Sequence, residues 1–271
     1  MPDPNRRNTN QLQLLTPRLY SFYKKKQKLT LRKHFDRIKQ QTLSLDSFNF
    51  YLVSSAIYSS LIEGVNVDFN SYLRYLNTPG VKGSKDLKQV QDLVAAYEFA
   101  QKRALNQKNM LLAHEILSKQ LLTRKYRGKL RNREVHVYNL ETGQIIYTGA
   151  DTKQVQFELD KLFADIAILR KRELTIDQAF YYAAFIHLVF AKIHPFADGN
   201  GRTARLLEKW FLAIKLGKQA WYIQSERNYQ RKLVSYYRNI DIGKNYQKND
   251  YDLALDFLLM LPWALRLKPL Q

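Results

Sequence analysis

One stretch of twelve residues, 194–205, carries most of the side chains that could do chemistry: His-Pro-Phe-Ala-Asp-Gly-Asn-Gly-Arg-Thr-Ala-Arg. Apolar residues at helical spacing follow it directly, as far as Ile214. Gly199, Asn200 and Gly201 are therefore predicted to form a tight loop that opens onto a helix N-terminus. Because backbone N–H groups there lack helical partners and glycines permit close approach, this loop is suited to binding phosphate oxygens.

The charged residues beside the loop fit the same chemistry. Arg202 and Arg205 share one side of the first helical turns, where cations are unfavourable unless an anion compensates them. Asp198 offers a hard oxygen ligand next to the phosphate site, which suits Mg²⁺ shared with a nucleotide. His194 is largely neutral at pH 7, since the ordinary histidine pKa is about 6.5, and can act as a general base towards a hydroxyl. Together they indicate phosphoryl-type transfer by positioning and charge stabilisation.

The stretch fits the signature of the Fic family, H-P-F-x-[D/E]-G-N-G-R-x-x-R, at every specified position. The similarity extends to residues 183–187, to a hairpin upstream and to residues 227–233, and covers 48–261. The chain thus resembles the Fic family, which implies a mainly α fold: a helical bundle with one short β-hairpin flap. The resemblance also implies a protein adenylyltransferase, which moves AMP from ATP to a Ser, Thr or Tyr hydroxyl of a protein target and releases pyrophosphate.

The resemblance assigns a role to each residue of the motif. His194 would deprotonate the attacking hydroxyl, and Asp198 would hold Mg²⁺ on the phosphates. Arg202 and Arg205 would bind the β- and γ-phosphates. The anion hole would be formed by three loop residues: Gly199, Asn200 and Gly201. The implied ligands are therefore ATP and Mg²⁺, and the implied partner is a protein with a hydroxyl side chain. Modification of the enzyme itself would be the first activity to measure.

The predicted hairpin alternates apolar and polar residues over 135–137 and 145–147. In the family this hairpin is a flap that aligns the target by strand addition, which would turn Ile145, Ile146 and Tyr147 towards the nucleotide. Many relatives carry a Pro pair after the second strand, where this chain has Thr148 and Gly149.

The nature of the transferred group stays open. Relatives within the fold transfer UMP, phosphocholine or phosphate, and the intact Gly-Asn-Gly-Arg run favours AMP. Recognition of the base would depend on pocket residues, which the resemblance places near Tyr229 and Tyr237.

A second match indicates regulation. Residues 59–64, Ser-Ser-Leu-Ile-Glu-Gly, fit the family's inhibitory motif, [S/T]-x-x-x-E-[G/N], which includes Ser59, Glu63 and Gly64 on a helix of about 50–64. A Glu63 carboxylate paired with Arg205 would occupy the guanidinium that the γ-phosphate needs. The resemblance therefore implies an enzyme auto-inhibited by Glu63. Some family members use the equivalent glutamate to remove AMP. The sequence therefore does not distinguish an enzyme that adds AMP from one that removes it.

The surrounding pattern is mainly helical. A capping box of Thr175 and Gln178 opens a helix that runs to about Lys192 and is apolar on most sides, so we expect it at the centre of the fold. Near the N-terminus we predict one basic helix from Tyr20 to Leu45. The predicted division is a basic N-terminal tail and helix, 1–45, and a Fic domain with its inhibitory helix and catalytic core, 46–271.

Composition limits the remaining possibilities. The 271 residues include 44 Lys or Arg and 24 Asp or Glu, a net charge of +20, and residues 1–40 hold eleven of these cations and two Asp. That basic segment is either a solvated surface or a site for an acidic protein target. A basic nucleic-acid-binding module is the alternative from another class, but no helix-turn-helix or RNP-like motif is present.

The absence of Cys excludes disulfides, a thiolate nucleophile and Cys-ligated zinc. No apolar run reaches the ~20 residues that span a bilayer, and no secretory signal is found, so we expect a cytoplasmic protein without membrane contact. Homo-oligomerisation is left open.

Overall fold

The computed structural model describes residues 11–41, 45–78, 80, 82–138 and 142–267. Its α-helices are, in chain order, α1 (Tyr20–Lys26), α2 (Leu31–Gln41), α3 (Leu45–Ile62), α4 (Phe69–Asn77), α5 (Lys85–Gln101), α6 (Gln107–Leu117), α7 (Val155–Lys171), α8 (Ile176–Ile193), α9 (Asn200–Leu216), α10 (Ser225–Arg231), α11 (Leu233–Ile240) and α12 (Leu255–Leu258). Two short strands, β1 (His136–Tyr138) and β2 (Ile145–Thr148), lie between α6 and α7. The predicted mainly α fold with one short hairpin is confirmed.

The central helix is α8, as its apolar sequence predicts. The predicted capping box starts it: Gln178 N donates to Thr175 Oγ1 at 3.3 Å, and Thr175 N donates to Gln178 Oε1 at 2.9 Å. Nearly all of its side chains are buried. Helix α9 packs along α8, α7 covers another side, and α3 packs against α5, α9 and α10. The short connection from α8 to α9 is the stretch that carries the chemistry.

The prediction of one helix from Tyr20 to Leu45 is wrong. The structure has α1 and α2 in this region, separated by residues 27–30, and Leu45 begins α3. Gln27 explains the break, because its side-chain Nε2 donates to Leu29 O at 2.6 Å and its Oε1 accepts from Leu29 N. These local bonds replace helical ones. Residues 1–10 of the predicted tail lie outside the described residues.

The segment before α1 belongs to the same core as the rest of the chain. Leu15 of this segment is fully buried within it, as is Tyr23 of α1. The backbone N–H groups of Gln13, Leu14 and Leu15 all donate to the buried carboxylate of Asp165 on α7, at distances of 2.7 to 3.1 Å. Because three donors satisfy this carboxylate, the N-terminal segment is firmly attached to α7.

The hairpin is antiparallel and irregular. Val137 pairs with Tyr147 and Tyr138 with Ile145, so Ile146 is an extra residue that forms a bulge. On its other side β2 contacts the C-terminal part of the chain, where Thr148 N donates to Lys244 O at 3.0 Å. The described helices include none that is long and apolar enough to cross a membrane.

Candidate active site

His194 ends α8 in a backbone conformation that is unusual for its residue type. Its φ of 54° and ψ of 58° are left-handed, and no other non-glycine residue among those described has a positive φ. The ring Nδ1 lies 3.1 Å from Ala191 O. Because a carbonyl oxygen can only accept, Nδ1 carries the proton and Nε2 is left to accept one. Burial lowers the pKa of His194 to about 4, so the ring is neutral at pH 7, as a general base must be.

One buried amide holds the loop between α8 and α9. Asn200 Oδ1 accepts from Phe196 N at 2.8 Å, and Asn200 Nδ2 donates to Phe196 O at 2.9 Å. Gly199 precedes α9 with a φ of 82°, and its carbonyl accepts from the N–H and the hydroxyl of Thr203. The N–H groups of Asn200 and Gly201 lie ahead of the helical hydrogen-bond ladder, where the helix dipole favours an anion.

A residue outside the motif, His114 of α6, also supports this loop. Its Nε2 donates to Asp198 O at 2.9 Å, its Nδ1 accepts from Gly128 N at 3.0 Å, and its ring stacks on Phe196 with centroids 3.4 Å apart. Burial lowers the pKa of His114 to about 4, which favours the neutral ring that both hydrogen bonds need. No spacing rule links His114 to a loop 84 residues away, so the sequence did not indicate it.

Arg202 and Arg205 lie on the first turns of α9, and both are buried. Arg202 Nη2 donates to Gln89 Oε1 at 3.3 Å, whereas Arg202 Nε is buried with no hydrogen-bond partner among the described residues. Arg205 Nε donates to Ser59 Oγ at 2.8 Å, and Arg205 Nη1 donates to Tyr236 OH at 3.3 Å. Burial lowers the pKa of Arg202. A buried cation with an unpaired N–H favours an anion beside it.

The anion that the structure places there is the carboxylate of Glu63. Its Oε1 accepts from Arg205 Nη2 at 2.7 Å, and a Cβ added to Gly201 would collide with the same oxygen. The Glu63 side chain is 29% exposed. Burial alone would raise its pKa, but the charges of Arg205 and Arg202 and the hydrogen bond from Arg205 hold the pKa below its ordinary value. An ionised carboxylate thus stands at the N-terminus of α9.

The end of α3 fixes Glu63 in this place. Gly64 follows with a φ of 81°, the left-handed conformation with which glycine ends many helices. One turn earlier, Ser59 accepts from Arg205 through both its hydroxyl and its carbonyl oxygen, the latter at 3.0 Å. The last turn of α3 and the residue that follows the helix therefore bind the same guanidinium. The structure brings together Ser59, Glu63 and Arg205, as the inhibitory motif implied.

Asp198 is the candidate metal ligand. Its Oδ1 accepts from Gly199 N at 2.6 Å, and its Oδ2 makes no hydrogen bond within the described residues. In the part of the chain that the structure describes, no group of three or more His, Cys, Asp or Glu side chains could hold a metal ion. One free carboxylate oxygen fits a hard cation shared with the phosphates of a ligand better than an all-protein metal site.

A comparison with models of protein families finds one that matches the segment carrying this site. Residues 104–212, which include α8, the loop and most of α9, match the model of the Fic/DOC family. These residues form a Fic/DOC domain. A comparison with curated proteins gives no match.

Solved structures of Fic proteins share the fold. A Fic family protein from Desulfovibrio desulfuricans G20 has a TM-score of 0.66 and 23% identity, covering 87% of this chain and 72% of that one. A Fic domain containing signaling protein from Bacteroides thetaiotaomicron has a TM-score of 0.59 and 20% identity, covering 92% and 96%. Fic-1 from C. elegans has a TM-score of 0.65 and 17% identity, covering 92% and 72%. At these identities the likeness establishes the fold.

Two of the three flap residues predicted to face a nucleotide are exposed: Ile145 by 53% and Ile146 by 46%. Tyr147 is buried: its hydroxyl donates to Lys192 O at 2.6 Å, and the Lys192 ammonium lies 3.9 Å from its ring centroid. Tyr147 therefore anchors the flap to the end of α8 and does not present its side chain to a nucleotide.

The structure also keeps Tyr229 away from any base pocket. Its side chain is 0% exposed, and its hydroxyl donates to Glu208 Oε2 at 2.7 Å. His187 bonds the same carboxylate at 2.8 Å. Tyr229 thus belongs to a buried polar network with His187 and Glu208. Tyr237, in contrast, is 47% exposed and donates to Ile62 O at 2.8 Å, close to Glu63.

Proposed function

We propose that this Fic domain transfers AMP from ATP to a hydroxyl group of a protein target, and that Glu63 inhibits the transfer by occupying the place of the triphosphate. One observation carries the proposal. The N-terminus of α9, with its two buried arginines, is an anion site, and the structure fills it with an internal carboxylate that bonds Arg205 at 2.7 Å. A phosphate of the nucleotide is the ligand that this site would accept in its place.

The residues of the loop would bind and orient the triphosphate. The N–H groups at the start of α9 would donate to phosphate oxygens, and the partnerless Nε of Arg202 would gain an acceptor. The free oxygen of Asp198 would hold Mg²⁺ together with the phosphates. When bound, Mg²⁺ would neutralise part of the phosphate charge.

His194 would supply the base. Its ring is neutral, its Nδ1 proton is bonded to Ala191 O, and its Nε2 is therefore the nitrogen that can accept the hydroxyl proton. The hydroxyl oxygen would form a bond to the α-phosphorus while the bond to the bridging oxygen breaks. Pyrophosphate leaves with that electron pair, and the proton ends on His194.

Glu63 would oppose this reaction in two ways. It competes with a phosphate for the Nη2 hydrogen bond of Arg205, and its negative charge repels the triphosphate. Because its pKa is held below the ordinary value, neutralising the carboxylate by protonation would need a more acidic solution than for a free glutamate. Inhibition would therefore persist at neutral pH.

The test is incorporation of label from α-³²P-ATP into protein. Glu63→Gly should raise incorporation at least tenfold over the unchanged chain, and Glu63→Gly with His194→Ala should abolish it. Glu173→Gly is the matched control, since it removes the same charge from an exposed loop before α8 and should leave incorporation unchanged. No gain from Glu63→Gly, or label retained without His194, would overturn the proposal.

Competition between nucleotides tests the choice of AMP. Unlabelled ATP should suppress incorporation more strongly than UTP, GTP or CTP, and equal suppression by UTP would favour another nucleotide. We place this activity in the cytoplasm, where ATP and Mg²⁺ are available.

A further inference from the structure

Three consecutive residues at the end of α8, 193–195, have carbonyl groups that accept hydrogen bonds from the segment that carries the flap. Ile193 O accepts from Ala150 N at 3.1 Å, and Pro195 O accepts from Arg131 N at 2.9 Å. Between them, His194 O accepts from Arg131 Nε at 2.7 Å. All three donors lie at the two ends of the flap, just before β1 and just after β2. The backbone around the base is thus bonded on consecutive residues by the segment that carries the flap.

Arg131 forms most of these contacts, and its side chain forms several further hydrogen bonds. Its guanidinium is buried and donates to His194 O, to Arg133 O at 2.9 Å, to Thr152 Oγ1 at 3.3 Å and to Ala150 O. It forms no ion pair with a carboxylate among the described residues. Backbone and hydroxyl oxygens, not an acid, hold this cation, so its fixed geometry is available for orienting the backbone.

Gly149 lies close to both His194 and Arg131. A Cβ at this position would lie 2.9 Å from His194 Cβ, 3.0 Å from Arg131 Nη2 and 3.2 Å from Ile193 O. Only glycine lets the end of β2 approach the base and the arginine together without displacing them. The absence of a side chain at Gly149 is therefore matched to the position of Arg131 in this chain.

The conformation of His194 requires such support. A left-handed φ is unfavourable for a residue with a Cβ, and it persists where surrounding contacts over-determine it. The bond from Nδ1 to Ala191 O fixes the ring only if the backbone stays in this conformation. Arg131 and Gly149 contact His194 from the flap side and leave Nε2 free.

We propose that Arg131 is a positioning residue for the base. It holds His194 in its left-handed conformation and so sets the direction of Nε2, and Gly149 leaves the room that this arrangement needs. This inference rests on the proposed AMP transfer by His194. Arg131 hydrogen-bonds neither the anion site of α9 nor Glu63 among the described residues. Its role can therefore be tested separately from nucleotide binding.

The kinetic test uses the Glu63→Gly background. Arg131→Lys and Arg131→Gln should each lower kcat for AMP transfer at least tenfold, because neither side chain reproduces the bond geometry of the guanidinium. The Kd of a non-hydrolysable ATP analogue should stay within twofold. Arg133→Gln, which removes the same charge from an exposed neighbour, should change neither quantity. An unchanged kcat, or a kcat loss matched by an equal loss of analogue binding, would overturn the proposal.

A second variant covers the case in which the arginine variants do not fold. Gly149→Ala keeps Arg131 but pushes a methyl group against His194, and it should also lower kcat with analogue binding retained. A Gly149→Ala protein with full kcat would contradict the proposal.

A spectroscopic measurement separates this inference from the proposed function, because it needs no activity. Long-range ¹H–¹⁵N spectra of the five histidines show which ring nitrogen carries the proton. His194 should be protonated at Nδ1 in the unchanged chain and in Arg133→Gln, and should become a mixture of tautomers in Arg131→Lys and Arg131→Gln. If Glu63→Gly transfers no AMP, the proposed function fails and the spectra still decide on Arg131. Identical His194 spectra in all four proteins would overturn the positioning role.

Discussion

His194 shows how a residue acquires its chemistry from its surroundings. Its place in the motif and its neutrality at pH 7 could be predicted from the sequence. The sequence could not indicate its left-handed backbone, its Nδ1 bond to Ala191, or the support from Arg131, because these depend on contacts between distant segments. The same holds for His114, whose two hydrogen bonds and ring stacking shape the loop from 84 residues away.

The pKa of His194 predicts an unusual pH profile. Burial lowers that pKa to about 4, and removing Glu63, whose charge raises it, would lower it further. The base works when deprotonated, so it should stay active as pH falls from 8 to 5.5. We expect kcat/KM of the Glu63→Gly variant, which reports the free enzyme, to change by less than about twofold over this range. A fall of about tenfold by pH 5.5, as for a histidine with a pKa of about 6.5, would contradict this.

Between elements, α3 and α9 meet through a polar seam. We define this seam as Ser55 and Ser59 on α3 and Glu63 directly after it, with Arg205 and Lys209 on α9. The spacing of four residues places Ser55 and Ser59 on one face of α3, and Arg205 and Lys209 on one face of α9. Lys209 Nζ donates to Ser55 Oγ at 2.6 Å, and Arg205 bonds Ser59 and Glu63. Because buried cations need their acceptors, the seam fixes one register of α3 and so the position of Glu63.

Lys209 offers a stability test of the polar seam. Its ammonium also bonds Glu226 Oε2 at 2.7 Å, and both side chains are buried. Lys209→Met would leave the Glu226 carboxylate buried without a cation and should reduce the free energy of unfolding by about 3–5 kcal/mol. Lys209→Met with Glu226→Gln should recover most of that loss in urea unfolding. If the double variant is less stable than the single one, the buried pair does not act as described.

The sequence predicted some elements well and others poorly, for physical reasons. The capping box at Thr175 is local, and the structure contains it. The break between α1 and α2 depends on the Gln27 side chain competing for backbone groups, which periodicity does not detect. Tyr229 looked like a pocket residue, but tertiary packing against His187 and Glu208 buries it.

For the whole molecule, the basic residues of α1 and the catalytic site lie at opposite ends of α8. Lys24 of α1 pairs with Asp177, in the first turn of α8, at 3.0 Å, whereas His194 follows the last turn of that helix. A helix of 18 residues is about 27 Å long, so a target bound at both places must span this distance. Within the described residues, six exposed cations nearby form no ion pair: Lys25, Lys26, Lys28, Arg32, Lys33 and Arg37.

Neutralising part of this basic surface tests whether it recruits an acidic protein target. In the Glu63→Gly background, Lys25→Gln with Lys26→Gln and Lys28→Gln should reduce labelling of proteins in a cell lysate at 50 mM salt. The difference should vanish at 0.5 M salt, where charges are screened within a few ångströms. The melting temperature should not change. Deleting residues 1–19 would be a poor test, because Leu15 and Leu19 are buried in the core. Equal labelling at low salt would remove the recruitment hypothesis.

The most direct measurement compares two labels on ATP with the Glu63→Gly variant. Label in the α-phosphate should appear in protein, label in the γ-phosphate should not, and neither should appear when His194→Ala is added. This result would show AMP transfer by His194 once the carboxylate has left the anion site of α9. Incorporation of the γ-label, or none of the α-label, would contradict the account.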